Sequence, residues 1–403
     1  MRTLSTLLGM PQNRFASIHV VGTNGKSSVT RMIAALLEAH GVRTGACVSP
    51  HVGRWAERVL LQGEEIEPVA FASAVERAAA AADAVNRGLE EGEVVTQFEL
   101  ATAAAFVALA AARVEVGVIE AGLGGRLDAT NTIPSKLTVL TSVGLDHTRW
   151  LGETEEEIAA EKLAVLRDHT TLVLGRVAPA VMALAEAVAR ERGAKLVVAA
   201  EDPGEDVRLR AAGPFQRRNF AVACAAAEAF LGELDPQRVK AVAGEIEVPG
   251  RLERVRDDPP TYLDAAHNPD GARALAEALP AVAGDRPVIA IFALLAEKDA
   301  RTMIETLAPA LTRAICTEPP ALPARGPKRA PRDDESARRR SFEAAELARL
   351  FAEAGLEAEA ETRLTAAVAR GLDLACETGG ALLVTGTHYV LAPARAALEL
   401  CED

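Results

Sequence analysis

The sequence predicts an α/β fold with mostly parallel sheets, because short apolar runs alternate with longer amphipathic runs along the chain. Its 403 residues exceed what a single hydrophobic core usually serves, so two domains are expected. A glycine-rich turn from Gly22 to Ser28 lies between the first apolar run and the first helical pattern. Together these observations predict a P-loop-type, mostly parallel sheet domain over residues 1–248, followed by a smaller Rossmann-like α/β domain over residues 249–403.

In the first domain, short apolar runs predict strands over residues 18–21, 116–120, 138–143, 171–174 and 196–198. The amphipathic stretches between them predict helices over residues 28–40, 69–87, 98–112, 154–167 and 178–192. Thr154 and Glu157 have the spacing of a capping box, which places the start of one of these helices.

The second domain is expected to begin near residues 248–250, where a helical run ends and a new strand-loop-helix series begins. Strands are predicted over residues 261–264, 288–292, 314–317 and 381–385, with a helix over 271–279. Residues 319–340 are dense in proline, arginine and aspartate, and we predict a solvated, partly disordered loop there.

The composition argues against several classes of protein. A net charge of −13 is unlike that of proteins that bind nucleic acid or anionic membranes, whose surfaces are basic. The longest apolar block, residues 101–112, is too short to span a bilayer, and residues 1–14 lack the apolar centre of a signal peptide. Five scattered cysteines without a C-x-x-C pair favour a reduced, cytoplasmic protein without structural zinc.

The turn from Gly22 to Ser28 is predicted to bind phosphate. Backbone N–H groups in such a turn point at an anion, the dipole of the following helix favours negative charge, and Lys26 adds a positive charge. The longer and more common phosphate-loop pattern has a glycine where this chain has Val20. The sequence therefore indicates a nucleotide loop of a variant type.

Polar residues that follow predicted strands are further candidates, because ligands of parallel sheets bind at the carboxyl ends of strands. Glu120 ends one strand and precedes a glycine-rich stretch. An acidic residue at this point suits a direct or water-mediated magnesium ligand, and capping of the next turn is the alternative. Asp146 and His147 follow the next strand, and a surface or satisfied core histidine is the alternative there.

Other polar groups have weaker individual signals. Lys162 follows a glutamate within a predicted helix, and such a pair is normally a solvated helix face. Residues 49–51, Ser-Pro-His, have the composition of a turn. In the second domain, Asp264 and His267 share one loop before a helix-starting proline. Together with Arg251, they suggest that this domain lends polar groups to the same anionic ligand.

Several motifs, in matching order from about Ile18 to Tyr389, resemble those of the folylpolyglutamate synthase/dihydrofolate synthase group of the Mur ligase superfamily. The strings over residues 120–131 and 144–147 are typical of the folate branch rather than of the cell-wall ligases. The other motifs of the resemblance cover residues 19–28, 49–51, 141–143, 160–162, 249–251 and 264–269.

The resemblance implies an ATP-dependent ligase that adds L-glutamate to a folate, to dihydropteroate, or to both, through an acyl phosphate. It implies that the glycine-rich turn wraps the ATP phosphates, with Lys26 at the transferred end. ATP and two magnesium ions are the implied cofactors, with a monovalent cation as an optional addition. The implied nucleotide and glutamate contacts are Gly22, Thr23, Asn24, Gly25, Lys26, Ser27, Ser28, Asn219, Arg251, Asp264 and His267.

The resemblance also implies metal ligands and catalytic residues. The implied magnesium ligands are Ser28, Ser49, Glu120, His147 and Lys162, the last as a carbamate made from its neutral amine and CO2. The implied catalytic residues are Lys26, His147, Lys162 and His267. Thr387 takes the place of a family serine near the incoming amino acid. The corresponding expectation is a monomer that acts on small molecules, with no nucleic-acid or membrane partner.

Two residues depart from the family pattern. Ser27 replaces the second glycine of Gly-Lys-Gly-Ser, so which loop serine meets magnesium stays open, and Ala265 replaces a glycine of Asp-Gly-Ala-His-Asn-Pro. The family has more residues before its first strand, so an altered substrate rim is expected. Two alternatives remain. One is a Mur-type ligase acting on a nucleotide-linked peptide, although no uridine-binding domain precedes Ile18, and the other is a regulatory ATPase without ligase activity.

Overall fold

The computed structural model describes residues 1–320 and 340–400, so most of the predicted loop over residues 319–340 lies outside the described residues. The chain packs as two compact units. The first contains Met1–Arg210 and Gln216–Ile246, and the second contains Ala211–Phe215 and the chain from Glu247 onward. The division lies close to the predicted boundary, and the assignment of two functional domains to residues 1–248 and 249–403 stays a prediction.

The first unit is built on an eight-stranded sheet. In chain order its strands are β1 (Ala16–Val21), β2 (Thr44–Cys47), β3 (Val59–Leu61), β4 (Glu64–Glu65), β5 (Val116–Glu120), β6 (Leu137–Leu140), β7 (Thr171–Leu174) and β8 (Lys195–Val198). They lie in the order β4-β3-β2-β5-β1-β6-β7-β8, and the β2–β3 and β3–β4 pairs at one edge are antiparallel while all other pairs of described strands are parallel. Side chains that follow β5, β1 and β6 therefore meet at one edge of the sheet.

The helices that connect these strands bury apolar side chains against the sheet and each other. They are α1 (Arg2–Leu7), α2 (Lys26–Ala39), α3 (Pro68–Asn86), α4 (Gln97–Ala111), α5 (Thr148–Leu151), α6 (Glu155–Leu163), α7 (Pro179–Glu191), α8 (Pro214–Leu231) and α9 (Pro236–Glu245). The predicted capping box is confirmed at α6, where the Glu157 N–H donates to the Thr154 hydroxyl at 3.2 Å.

The second unit is built on a six-stranded sheet with the strand order β13-β12-β11-β14-β10-β9. Its strands are β9 (Glu253–Asp257), β10 (Pro260–Leu263), β11 (Val288–Phe292), β12 (Arg313–Cys316), β13 (Ala358–Ala360) and β14 (Ala381–Thr385). Only the β9–β10 pair of this described sheet is antiparallel. Its helices are α10 (Pro269–Ala283), α11 (Ala300–Leu307), α12 (Ala344–Glu353), α13 (Leu364–Thr378) and α14 (Leu391–Glu399).

The predicted α/β class with mostly parallel sheets is confirmed, and each predicted strand overlaps an observed one. The strand predicted over residues 138–143 is wrong at its end, because β6 stops at Leu140. The Thr141 hydroxyl instead donates to the carbonyl of Asn24, in the turn after β1, at 2.6 Å. Five strands within the described residues were missed: β2 contains glycine, β9 alternates charged residues without an apolar run, and β3, β4 and β13 are only two or three residues long.

None of the helices within the described residues is both long enough and apolar enough to cross a membrane. Cys47, Cys224, Cys316 and Cys376 are free thiols. Burial raises the pKa of the Cys47 and Cys316 thiols to about 12, so neither is a reactive thiolate at neutral pH.

Candidate active site

The turn between β1 and α2 is held in place by the residues that follow β6. The Thr23 N–H donates to the Ser142 carbonyl at 2.9 Å, and the Asn24 N–H donates to the Ser142 hydroxyl at 3.0 Å. The Asn24 carbonyl in turn accepts from the Thr141 hydroxyl. The predicted phosphate loop is therefore a pre-formed structure whose backbone is fixed by the neighbouring strand end.

Two glycines of this loop make room for close neighbours. A Cβ on Gly22 would lie 1.9 Å from the Thr141 hydroxyl oxygen. Gly25 has a φ of +84°, which favours glycine, and a Cβ there would lie 2.5 Å from Oδ1 of Asn219 on α8. The structure thus brings Asn219 against the loop, although it lies almost 200 residues further along the chain.

Two lysines share one carbonyl of the loop. The Lys26 ammonium donates to the carbonyl oxygens of Gly22 and Thr23, each at 3.1 Å, and the Lys162 ammonium donates to the same Gly22 oxygen at 2.9 Å. Burial, and then the positive charge of Lys26, lower the pKa of Lys162 to about 7. The alternative that Lys162 lies on a solvated helix face is wrong, because only 3% of its surface is exposed.

The glycine-rich stretch after Glu120 packs on α6 and so positions Lys162. A Cβ on Gly125 would lie 2.7 Å from the Glu161 carbonyl oxygen, so no side chain fits between the two segments. The Arg126 N–H donates to that carbonyl at 3.1 Å, and the Arg126 guanidinium pairs with the Glu161 carboxylate at 3.0 Å. These contacts are made by Glu161, the residue before Lys162, and they fix α6 beside the phosphate loop.

Glu120 is buried at the end of β5, next to the phosphate loop. Its Oε1 accepts from the Ser27 hydroxyl at 2.9 Å, and its Oε2 accepts from the Ser49 N–H at 2.8 Å. The Ser27 hydroxyl also lies 3.3 Å from the Ser49 carbonyl oxygen. The structure therefore brings three predicted site residues together as a cluster of oxygen atoms, the type of ligand that magnesium prefers.

Adjacent serines of the loop have different surroundings. Ser27 faces Glu120, whereas the Ser28 hydroxyl is buried and has no hydrogen-bond partner among the described residues. The two side chains point to different sides because they occupy successive positions at the start of α2. Ser28 as a magnesium ligand stays a prediction from the resemblance.

The segment that carries His147 also contacts the phosphate loop. The Thr23 hydroxyl donates to the Gly144 carbonyl at 3.2 Å, which holds residues 144–147 beside the loop. His147 is partly exposed, has a φ of +53°, and donates its N–H to the Asp146 carboxylate at 2.8 Å. The histidine therefore lies at the rim of the site, at the start of α5.

The second unit has its own polar cluster after β10. Asp264 is buried, and its two carboxylate oxygens accept from the N–H groups of Leu252 and Ala266 at 2.8 and 2.7 Å. Burial raises the pKa of Asp264, against the opposing positive charge of Arg251. His267 Nδ1 lies 2.8 Å from the Ala265 carbonyl, which can only accept, so Nδ1 carries the proton.

The two remaining predicted residues of this unit lie in turns. Arg251 donates to the Gly250 carbonyl at 3.0 Å, just before β9. Thr387 follows β14 and is buried, and its hydroxyl accepts from the Tyr389 N–H at 3.5 Å. Both residues therefore adjoin strand ends of the second sheet.

Sequence reasoning gave no role to Thr141, Ser142 and Arg58. The first two lay within a motif of the resemblance, and their signal was two hydroxyl residues at the end of a strand that neighbours β1. Arg58 donates to the hydroxyl of Ser49 at 3.4 Å and to His51 Nδ1 at 2.9 Å. A single arginine in a predicted loop has no sequence signal that separates it from a solvated side chain.

The residues present fit a magnesium ion that is completed by phosphate oxygens. Within residues 1–320 and 340–400, no group of three or more His, Cys, Asp or Glu side chains is arranged to hold a metal. The predicted ligands include only two such side chains, Glu120 and His147, so hydroxyl, phosphate and carbamate oxygens would supply the rest. The Glu120 carboxylate, the Ser27 hydroxyl and the Ser49 carbonyl lie next to one another and supply oxygen atoms of this type.

Each of the two units matches a known protein family. Residues 20–211 match the Mur ligase middle domain, and residues 250–388 match the Mur ligase glutamate ligase domain. The dihydrofolate synthase/folylpolyglutamate synthase of Mycobacterium tuberculosis is 35% identical over 356 residues, which cover 78% of this chain and 72% of the relative.

Solved structures agree with this relationship. Mycobacterium tuberculosis folylpolyglutamate synthase complexed with ADP superposes with a TM-score of 0.88 at 30% identity, covering 99% of this chain and 93% of that chain. The bifunctional folylpolyglutamate synthase/dihydrofolate synthase of Yersinia pestis, complexed with AMPPNP and a manganese ion, has a TM-score of 0.80 at 27% identity and coverages of 98% and 92%.

The two-unit α/β fold and the phosphate loop with its paired lysines define an ATP-dependent ligase of the Mur type. Within that class, the similarity extends over most of both chains and not only over the shared domains. The chain belongs to the folylpolyglutamate synthase/dihydrofolate synthase family.

Proposed function

We propose that this chain is an ATP-dependent ligase that joins L-glutamate to the carboxylate of a folate, of dihydropteroate, or of both. The observation that carries the proposal is the arrangement around the phosphate loop, where Lys26 and Lys162 share the Gly22 carbonyl. The Glu120–Ser27 hydrogen bond at the start of α2 adds a site for a hard cation. Membership of the family supports the substrate class.

The proposed reaction activates a carboxylate that would otherwise not condense with an amine at neutral pH. The terminal phosphoryl group of ATP moves to an oxygen of the acceptor carboxylate, which gives ADP and an acyl phosphate. The neutral amine of glutamate then attacks the acyl carbon and loses a proton, and the carbon–oxygen bond breaks as phosphate leaves. The products are the amide, ADP and inorganic phosphate.

The phosphate loop and Lys26 are proposed to hold the charge that moves. The N–H groups at the start of α2 and the helix dipole favour an anion at this point. Lys26 is the first residue of α2, and we expect its ammonium to exchange the carbonyls of Gly22 and Thr23 for phosphate oxygens when nucleotide binds. A positive charge fixed at this position stabilises the negative charge that develops during transfer.

Glu120, Ser49 and His147 are proposed to hold magnesium, which when bound neutralises charge on the transferred group. We add Ser27 to this set, because its hydroxyl lies 2.9 Å from the Glu120 carboxylate. Ser28 stays in the set on the resemblance, and its buried hydroxyl makes no hydrogen bond to any described residue. The manganese ion in the Yersinia pestis structure supports a divalent cation in this family.

Lys162 is proposed to act as a carbamate. Its neutral amine would form a nitrogen–carbon bond to CO2 and release a proton, which converts a cation into an anion with two oxygens. A pKa of about 7 supports this step, because a large fraction of the amine is then neutral at physiological pH. The resulting anion would also remove the repulsion between two ammonium groups on one carbonyl.

Further contacts to nucleotide and glutamate are proposed for both units. In the first unit, Asn219 has support from its position against Gly25 of the phosphate loop. In the second unit, buried Asp264 holds the loop of His267 through two N–H groups, and this rigid loop supports a binding role for His267. Arg251 and Thr387 are assigned to the same set on the resemblance.

The substrate class is tested by incubating the chain with ATP, magnesium, L-glutamate and either dihydropteroate or tetrahydrofolate, side by side. Mass spectrometry should detect an acceptor that has gained one glutamate in at least one of the two reactions. A Lys26→Ala variant serves as the control and should form no product. Absence of a glutamate adduct from both acceptors, with ATP still consumed, would overturn the proposal.

The same assay, repeated with a nucleotide-linked peptide as the acceptor, separates the alternatives. A glutamate-independent product from a nucleotide-linked peptide would indicate a cell-wall type of ligase, and ADP release without any adduct would indicate a regulatory ATPase. Gel filtration with light scattering tests the predicted monomer. The predicted cytoplasmic setting agrees with free thiols at the described cysteines.

A further inference from the structure

His19 lies inside β1, and its side chain is completely buried. It is the first residue of the motif over residues 19–28, yet neither the phosphate loop nor the proposed metal site uses its imidazole. In the sheet it is aligned with Ile119 of β5, the residue before Glu120. The imidazole is therefore a polar group in the middle of the sheet, beside the strand that carries Glu120.

One hydroxyl connects this imidazole to an acidic residue. Nε2 of His19 lies 2.8 Å from the Thr130 hydroxyl oxygen, and that oxygen lies 2.5 Å from Oδ1 of Asp128. A carboxylate oxygen only accepts, so the single hydroxyl proton of Thr130 is donated to Asp128, and the hydroxyl oxygen accepts from His19. Nε2 of His19 therefore carries a proton.

The imidazole of His19 is neutral. Burial, and then the positive charge of Arg167, lower its pKa to about 3. With the proton on Nε2, the other ring nitrogen is an acceptor, and it is buried without a partner among the described residues. Such a ring costs free energy compared with an aliphatic side chain of similar size, so packing alone does not explain a histidine here. The hydrogen bond to Thr130 is what this side chain supplies.

Asp128 closes the glycine-rich stretch over residues 121–126. Its Oδ2 accepts from the Leu123 N–H at 2.8 Å, and its Oδ1 accepts from the Thr130 N–H at 2.9 Å. The Asp128 N–H also donates to the Gly125 carbonyl at 3.1 Å. One carboxylate thus joins both ends of the segment from Leu123 to Thr130.

This segment is the one that packs on α6. The Arg126 N–H donates to the Glu161 carbonyl, and a Cβ on Gly125 would lie 2.8 Å from the Lys162 carbonyl oxygen. Each step from the imidazole to α6 is a direct contact within the first unit. The orientation of His19 is therefore passed on to the backbone that carries Lys162.

We infer that His19 is a positioning residue for ligation, which holds Asp128 through Thr130 and so keeps the glycine-rich stretch against α6. The imidazole donates one fixed hydrogen bond, and it neither gains nor loses a proton during the reaction. The effect on ligation rests on the proposed function, whereas the hydrogen-bond chain from His19 to Asp128 does not.

Hydrogen exchange tests this chain of hydrogen bonds without any assay of activity. Thr130→Val keeps the shape of the side chain and removes the hydroxyl, so the Leu123 N–H that donates to Asp128 should exchange about tenfold faster. Thr138→Val is the matched control, because Thr138 is also buried, is aligned with His19 in β6, and has a hydroxyl without a partner among the described residues. This control should leave the exchange unchanged. Equal exchange in the two variants would overturn the inference.

The kinetic test compares kcat for ligation with the affinity for ADP in the absence of magnesium. Thr130→Val should lower kcat about tenfold and change ADP affinity less than about twofold, because the residues after β6 hold the phosphate loop independently. Thr130→Ser restores the hydroxyl and should recover kcat to within about twofold of the unsubstituted chain. Thr138→Val should leave kcat unchanged.

A double variant tests whether His19 and Thr130 act as one unit. His19→Leu removes the donor, and combining it with Thr130→Val should lower kcat no further than the more damaging single change, because both break the same bond. If His19→Leu fails to fold, the Thr130 variants decide the question alone. Additive losses, an equal fall in ADP affinity, or no recovery in Thr130→Ser would overturn the positioning role. An unsubstituted chain without ligase activity would instead contradict the proposed function, and hydrogen exchange would still decide whether His19 and Thr130 hold the stretch.

Discussion

Lys162 and Lys26 donate to one atom, the carbonyl oxygen of Gly22, at 2.9 and 3.1 Å. Two ammonium groups on a single carbonyl repel each other, and this repulsion adds to burial in lowering the pKa of Lys162. The arrangement fits a lysine that reacts as a neutral amine better than one that serves as a permanent cation. The chemical state of Lys162 is therefore the most informative property of this site.

We expect Lys162→Ala to lower ligation about 10²-fold or more, because the variant lacks the proposed anionic oxygens next to the metal. Addition of acetate or formate should restore part of the activity, since a small carboxylate can enter the space that the side chain leaves. Initial rates of ADP formation with both substrates present provide the measurement. Arg126→Ala, which removes a partly exposed partner of the preceding residue, is the control and should lose far less activity. Unchanged activity in Lys162→Ala would rule out the carbamate.

The carbamate also predicts a dependence on CO2 and pH. The folded-state pKa of Lys162 is lowered from 10.5 to about 7, so the reactive neutral form grows as pH rises through 7. Enzyme depleted of CO2 should be less active, and the same concentration of dissolved CO2 should restore activity faster at pH 8 than at pH 6, where about a tenth of the amine is neutral. Carbon-13 NMR with labelled bicarbonate should show a carbamate resonance that Lys162→Ala lacks. Equal recovery at both pH values would argue against the lowered pKa.

The two serines of the phosphate loop are expected to respond differently to substitution. Ser27→Gly removes the hydroxyl that lies 2.9 Å from Glu120, and should raise the magnesium concentration needed for half-maximal rate about tenfold. Ser28→Ala removes a hydroxyl without a partner among the described residues, and should change this concentration less than about twofold. Magnesium titrations of the two variants make the comparison. A larger increase in this magnesium concentration for Ser28→Ala than for Ser27→Gly would assign the metal to Ser28, as the family resemblance implies.

Glu38 is expected to destabilise the fold at high pH. Burial raises its pKa from 4.5 to about 7, so the folded chain holds a proton that the unfolded chain releases, and the free energy of unfolding falls as pH rises from about 4.5 to 7. Glu38→Gln should therefore stabilise the chain at pH 8 by about 1 kcal/mol after solvent screening, and little at pH 4. Urea unfolding at both pH values tests this. Glu76→Gln, at an exposed position of α3, should show no such difference, and a pH-independent effect of Glu38→Gln would contradict the assignment.

The strand-helix alternation was readable from the sequence because the strands are short apolar runs and the helices between them are amphipathic. The phosphate loop was equally readable, since its glycines and Lys26 are contiguous. Strands β2 and β9 were not readable from the sequence, because their pairing depends on neighbouring strands rather than on their own composition. The stop of β6 at Leu140 depends likewise on the contact between Thr141 and Asn24.

Individual site residues were predictable only in part. Glu120 had a positional signal at a strand end, whereas burial of Lys162 depends on the packing of Gly125 against α6, which the spacing of helical charges does not reveal. The role of Asn219 was predicted from the resemblance alone, because its contact with Gly25 is a tertiary contact between distant parts of the chain. The sequence could not distinguish Ser27 from Ser28, because their different surroundings arise from the direction of each side chain on α2.

The central claim is that ATP cleavage at this loop is coupled to amide formation. The direct test measures ADP release from ATP and magnesium with neither substrate, with each alone, and with L-glutamate and a pteroate-type acceptor together. We predict one ADP for each glutamate joined to the acceptor, and at most slow release when either substrate is absent. Rapid ADP release that is independent of both glutamate and acceptor would contradict the account.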